Sequence, residues 1–252
     1  MTVRNALAAV FGAVVCTGVL SAGCAAPPRD PAEPRPPGGS AAGPLSPRPA
    51  PPRLSARPLP GLGAGMRARV PAGSRQALVV TGATEDSNEA EAVLYERLPV
   101  QGWRPVAGPW PAHNGLRGWT DDHEEGDQRT PVGVFGLSDA GGLLPDPGSR
   151  LPYDEDPLFH ATGSGALGEP LAGSFDYVIA IDYNRVPGTS PLDLTRPLGE
   201  EKGGGVWVHV DHEGPTSACV SLSEEHMSTL LGSLDPAKEP VIVMGPQETL
   251  AG

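Results

Sequence analysis

The sequence predicts a mainly β domain, a sandwich or partly open barrel with one helix toward its C-terminus, attached to a Pro/Gly-rich N-terminal segment. Three observations carry this expectation. From about residue 66 onward, short Val- and Ile-rich runs alternate with Gly, Pro and Asp breakers. A single stretch repeats its apolar residues at helical spacing. Before about residue 65 the chain is dominated by Pro, Ala, Gly and Arg, a composition that buries too little apolar surface to offset its ordering entropy.

In chain order, Arg4 precedes the apolar run Ala6–Leu20. That run is short for a bilayer span and fits the apolar stretch of an export signal over residues 1–23. Ser21, Ala22 and Gly23 lead into Cys24, the pattern of a bacterial lipobox, with Leu20 one place earlier than usual. Cys24 is therefore the expected acylation site, which gives a membrane-anchored lipoprotein or wall-located protein outside the cytoplasm. One acyl chain anchors weakly, so stable retention needs more than that. Residues 24–65 read as a linker, with Pro34-Arg35-Pro36-Pro37 and Pro47-Arg48-Pro49-Ala50-Pro51-Pro52 as typical runs. Such sequence tends to polyproline II at about 3.1 Å per residue, a reach on the order of 100 Å.

Residues 66–252 then read as the folded domain. The expected strands are Ala77–Thr81, Ala92–Arg97, Trp103–Ala107, Val132–Leu137, Tyr177–Tyr183, Val206–Val210 and Val241–Met244. The helix is expected after Ser223 as N-cap, with Glu224 and Glu225 in the first turn. Met227, Leu230, Leu231 and Leu234 form its apolar stripe, and Asp235-Pro236 ends it.

The formal net charge of −12 argues against nucleic acid as a partner. The cysteines are Cys16 inside the signal, Cys24, and Cys219, which leaves one thiol in the domain and no partner for a disulfide. A lone thiol outside the cytoplasm raises the question of chemical use.

The informative segment is Gly203–Met227. Alternation along Val206–Asp211 puts Val206, Val208 and Val210 on one face and Trp207, His209 and Asp211 on the other. With the valines in the core, His209 points to a surface or cleft. Glu213-Gly214-Pro215 turns the chain, and Thr216-Ser217-Ala218-Cys219 follows. That layout can return the imidazole to the sulfur, where it would stabilise a thiolate. On spacing alone, a buried structural cysteine is the commoner outcome. His209, His212, Cys219 and His226 also lie close in sequence, but they match no usual zinc spacing, and no metal or organic cofactor is expected. Gly203-Gly204-Gly205 precedes a strand and lacks the Lys of a phosphate-binding loop.

Three stretches, Thr216–Val220 with the upstream His209, Glu125–Phe135, and Asp182-Tyr183-Asn184, together resemble the L,D-transpeptidase (YkuD-type) family. Thr216, Cys219 and Val220 match its Ser/Thr-x-x-Cys-apolar motif, with His209 as the upstream His. Glu125–Phe135 (EGDQRTPVGVF) resembles a second signature, and Asp182-Tyr183-Asn184 a third. Ser217, Ala218 and Ser221 stand where many members have His, Gly and Arg or Asn. A positive φ at Ala218 would be strained, and the lost Arg would alter substrate binding.

The resemblance implies a β-sandwich of mixed sheets and a peptidoglycan L,D-transpeptidase acting on stem peptides without a cofactor. Cys219 would be the nucleophile, His209 the proton carrier, the Val210 carbonyl the group that orients the imidazole, and Ala218 N–H part of the oxyanion hole. Thr216, Ser217, Ser221, Trp207 and Thr130 would bind substrate. Its rivals are an L,D-carboxypeptidase or amidase using the same site, and a non-catalytic wall-binding lipoprotein.

Overall fold

The computed structural model describes residues 56–252. The expected signal, Cys24 and the linker up to residue 55 lie outside the described residues.

The elements are α1 (Ala64–Arg69), β1 (Gln76–Gly82), β2 (Glu89–Leu98), β3 (Gly102–His113), β4 (Trp119–Thr120), β5 (Thr130–Pro131), β6 (Gly133–Gly142), β7 (Tyr153–Glu155), β8 (Val178–Ile181), β9 (Trp207–Val210), β10 (Val220–Leu222), α2 (Glu224–Ser233), β11 (Val241–Pro246) and α3 (Gln247–Ala251). The domain is mainly β, with mixed strand directions and few helices, as the sequence predicts. Nine strands run in the order β11-β1-β2-β3-β10-β9-β8-β6-β7, and β6 also pairs with β11. The sheet thus folds over and returns to its own first strand, which removes most of the open edge. Parallel pairs (β1–β11, β9–β10, β6–β7) are interspersed with antiparallel ones.

Why β1 is apolar without alternation is clear from its two neighbours. Leu78 and Val80 face the main core, with Leu94, Ile179, Val208, Leu222, Ile242 and Met244. Ala77 and Val79 face a second core, with Leu59, Leu62, Met66, Trp103, Val243 and Leu250. A strand covered on both faces reads as a continuous hydrophobic run.

That second core shifts the domain boundary. Residues 57–65, expected to be linker, belong to the fold. Arg57 N–H donates to Gln101 O at 3.1 Å and Arg57 O accepts from Trp103 N at 3.0 Å. Leu59 and Leu62 are buried at 2 % and 5 % exposure, and each leucine buried so contributes about 1.5–3 kcal/mol. The surrounding prolines and glycines mask these two anchors in the sequence.

The expected helix is α2. Ser223 Oγ accepts from His226 N–H, and Met227, Leu230, Leu231 and Leu234 are all in the main core. Two further helices, α1 and α3, have six and five residues, too few to display a period. Most expected strands form within a residue or two of their limits. The exceptions are β2, which starts three residues before Ala92 at Glu89, and β3 and β6, which run on beyond Ala107 and Leu137 as far as His113 and Gly142.

Candidate active site

The site is built where β9 and β10 lie side by side. Their parallel register pairs Val220 with Val208, Ser221 with His209 and Leu222 with Val210. Val206, Val208 and Val210 enter the main core, so His209 is turned to the opposite face, as the alternation predicts. The connection between the strands turns at Glu213, whose φ is 64°, and Thr216 N–H then donates to Asn114 O at 3.0 Å. Ala218 is not among the residues with positive φ, so the alanine sits there without the strain that a positive φ would bring.

Cys219, the free thiol among the described residues, ends this connection. His209 and Cys219 line one cleft of about 320 Å³, together with Ser174, Phe175, His212, Thr216 and Ser217. The sulfur accepts from Trp207 N–H at 3.3 Å and faces Gly205 O at 3.7 Å. Gly205 has φ 62°, a conformation that favours glycine, and the run before it is fixed by Asn184, whose side-chain amide donates to the carbonyls of Gly199 and Gly203. The Asp182-Tyr183-Asn184 stretch therefore acts on the sulfur indirectly, through the glycine loop.

Two threonine hydroxyls converge on the Cys219 carbonyl. Thr216 Oγ1 donates to Cys219 O at 2.7 Å and Thr130 Oγ1 at 3.3 Å, while Thr130 Oγ1 also accepts from Gly115 N–H at 2.8 Å. The Glu125–Phe135 segment and the cysteine motif, about ninety residues apart in sequence on the order-of-magnitude scale of a long-range contact, thus meet at one backbone oxygen.

His209 is 3 % exposed, with Phe175 edge-on at 5.3 Å and the His212 ring stacked at 5.8 Å between centroids. Its Nδ1 lies 2.8 Å from Val210 O. A carbonyl can only accept, so the ring carries its proton on Nδ1 and leaves the Nε2 lone pair free. Burial pushes the His209 pKa down to about 4. Burial likewise pushes the Cys219 thiol up to about 11, against the opposing effect of the Trp207 N–H. Cys219 still keeps partial exposure through the cleft. The expected thiolate beside the imidazole is therefore corrected: both groups rest neutral, because neither charge is solvated there and no hydrogen bond joins the sulfur to the ring.

Three expected substrate contacts are also corrected. Ser221 is fully buried, and its hydroxyl donates to Asp211 Oδ1 at 2.7 Å, beside the His113 Nδ1 donor at 2.8 Å. Burial opposes the charge on Asp211, yet these two bonds hold its carboxyl below the usual carboxylate range. Thr130 is fully buried and braces the backbone. The Trp207 ring packs against Phe159 and Phe175, and only its N–H serves the sulfur. Ser217 is exposed and does line the cleft, as does Thr216.

The sequence reading missed the wall formed by Ser164, Gly165, Ala166, Leu171, Ser174 and Phe175, and gave His212 no role in this cleft. No local pattern marks that glycine-rich loop, which is brought to the cleft from some fifty residues upstream. Of the four residues weighed for zinc, His226 lies elsewhere, stacked on Trp110 at 5.1 Å. Among the described residues, no group of three or more His, Cys, Asp or Glu is placed to hold a metal. Neither family models nor curated proteins yielded any match to the chain.

Proposed function

We propose that this chain is a cysteine acyltransferase of the L,D-transpeptidase type, acting on peptidoglycan stem peptides through an acyl-enzyme on Cys219. The observation that carries this reading is the shared cleft of Cys219 and His209, with the His209 tautomer set by the Val210 carbonyl.

In this reading Cys219 Sγ attacks the carbonyl of the third stem residue. His209 Nε2 takes the thiol proton as the C–S bond forms, then delivers it to the departing D-alanine amine. The neutral resting pair suits general-base attack, since charge separation is deferred to the transition state. The N–H groups of Ala218 and Cys219 take part in none of the hydrogen bonds that fasten this connection, and they supply the oxyanion donors. Ser217 and Thr216 form the donor-peptide wall, with Thr216 also bracing the nucleophile.

The test is a mass adduct. Incubation with a carbapenem is expected to add the drug's mass to the wild-type protein and nothing to Cys219→Ala. The protonated resting thiol favours one rival, a non-catalytic wall-binding lipoprotein. That rival predicts no adduct on either protein, and such a result would sink the enzymatic reading.

A further inference from the structure

A second cavity, of about 360 Å³, shares no lining residue with the cleft of Cys219. Its lining comes from the end of α1 and the turn after it, from β6, and from the loop that leads into β11, with Asp182 added from beyond β8. Val134, Phe135, Leu137 and Val241 make the space largely apolar.

Three charged side chains also line it, and each occupies room that a glycine leaves. A Cβ at Gly73 would collide with the Glu239 carboxylate, one at Gly136 with the Asp182 carboxylate, and one at Gly133 with the Phe135 ring and the Arg69 guanidinium. Glu239 also takes φ 47°, a left-handed backbone uncommon outside glycine and found most often where a ligand is held. Asp182 is balanced by Arg185 at 2.6 Å. Arg69 and Glu239 form no ion pair among the described residues, so one unpaired cation and one unpaired anion border the same apolar space. Ser74 lines the cavity as well, fully buried, and its hydroxyl meets no partner. A buried polar atom left so points to a missing partner, and a hydroxyl can turn to donate or to accept.

A ligand of one charge sign would satisfy Arg69 or Glu239 and be repelled by the other. A ligand carrying both signs meets both. The volume lies at the small end of the range for ligand sites, about 300–1,000 Å³, which limits the occupant to a few residues.

We propose that this cavity binds a short zwitterionic peptide with apolar side chains, its carboxylate on Arg69 and its ammonium on Glu239. The guanidinium offers a carboxylate two parallel N–H donors. Apolar side chains lie against Phe135 and Val241, and the peptide group supplies a donor and an acceptor for Ser74. This site goes beyond the acyl-transfer reading and stands even if that reading falls.

The experiment titrates the full chain by calorimetry with the dipeptide Leu-Leu and with two blocked forms, N-acetyl-Leu-Leu and Leu-Leu amide. The wild type is expected to bind Leu-Leu saturably and each blocked form at least tenfold more weakly. Arg69→Gln should bind Leu-Leu and its amide within twofold of each other, and Glu239→Gln should do the same for Leu-Leu and its N-acetyl form. Both side chains are exposed, so both variants are expected to fold, which an unchanged melting temperature checks. A wild type that binds no Leu-Leu overturns the proposal, and so do blocked forms that bind the wild type as well as Leu-Leu does, with no variant needed. Discrimination that survives in either variant overturns it too, since the peptide would then sit elsewhere, as in the cleft of Cys219.

Discussion

The backbone N–H of Trp207 donates to the sulfur of Cys219 at 3.3 Å, so the thiol is gripped by the neighbouring strand rather than by the imidazole that shares its cleft. A single N–H partly offsets the loss of hydration but does not make a thiolate, and the sulfur stays protonated at neutral pH.

Alkylation should report this directly. Iodoacetamide reacts with the thiolate, whose population rises tenfold per pH unit below its pKa. The rate at Cys219 is expected to climb with unit slope from pH 7 to 10 and to level off near 11. A rate that is already flat across neutral pH would instead mean a preformed ion pair with His209.

The two neutral groups also set the pH limits of stability. The His209 pKa is about 4 in the fold against an ordinary 6.5, so the unfolded chain binds more protons between those values. Stability from this residue is complete above 6.5 and is lost as pH falls toward 4, by an upper bound of about 3 kcal/mol. At the alkaline end, the raised Cys219 pKa means that the unfolded chain loses its proton first, and stability falls between about pH 9 and 11. Denaturant midpoints measured across pH check both limbs, and His209→Gln should flatten the acidic one.

The threonine brace predicts coupling. Thr216→Val and Thr130→Val each remove one donor to Cys219 O. Each single change is expected to cost about 1–2 kcal/mol of stability and to slow carbapenem acylation by roughly tenfold. Because both hydroxyls serve one oxygen, the double variant should lose more than the sum of the singles. Strict additivity in a double-mutant cycle would argue against a shared brace.

Ser221 separates a structural role from a binding role. Its hydroxyl is spent on Asp211 in the interior, between β9 and β3. Ser221→Ala is expected to lower stability by about 1–2 kcal/mol while leaving the half-saturating donor concentration unchanged. A large rise in that concentration with normal stability would restore Ser221 to the substrate surface.

Much of this architecture was written in local pattern. The alternation Val206–Val210 fixed which face His209 takes, the period Met227–Leu234 fixed α2, and the run Ala77–Thr81 marked a strand. Those signals survive because each element's burial is repeated along its own few residues. Thr130 and Cys219, by contrast, share an oxygen although 89 residues separate them. Glu169 meets His212 only because the wall loop folds back across the connection between β9 and β10. Nor could the sequence tell a thiolate from a thiol: the charge on Cys219 depends on how much water reaches the sulfur and the ring. Solvation is a property of the assembled cleft, so the meeting of Cys219 and His209 was legible in the chain, while their protonation, their brace and their outer wall were decided only by tertiary packing.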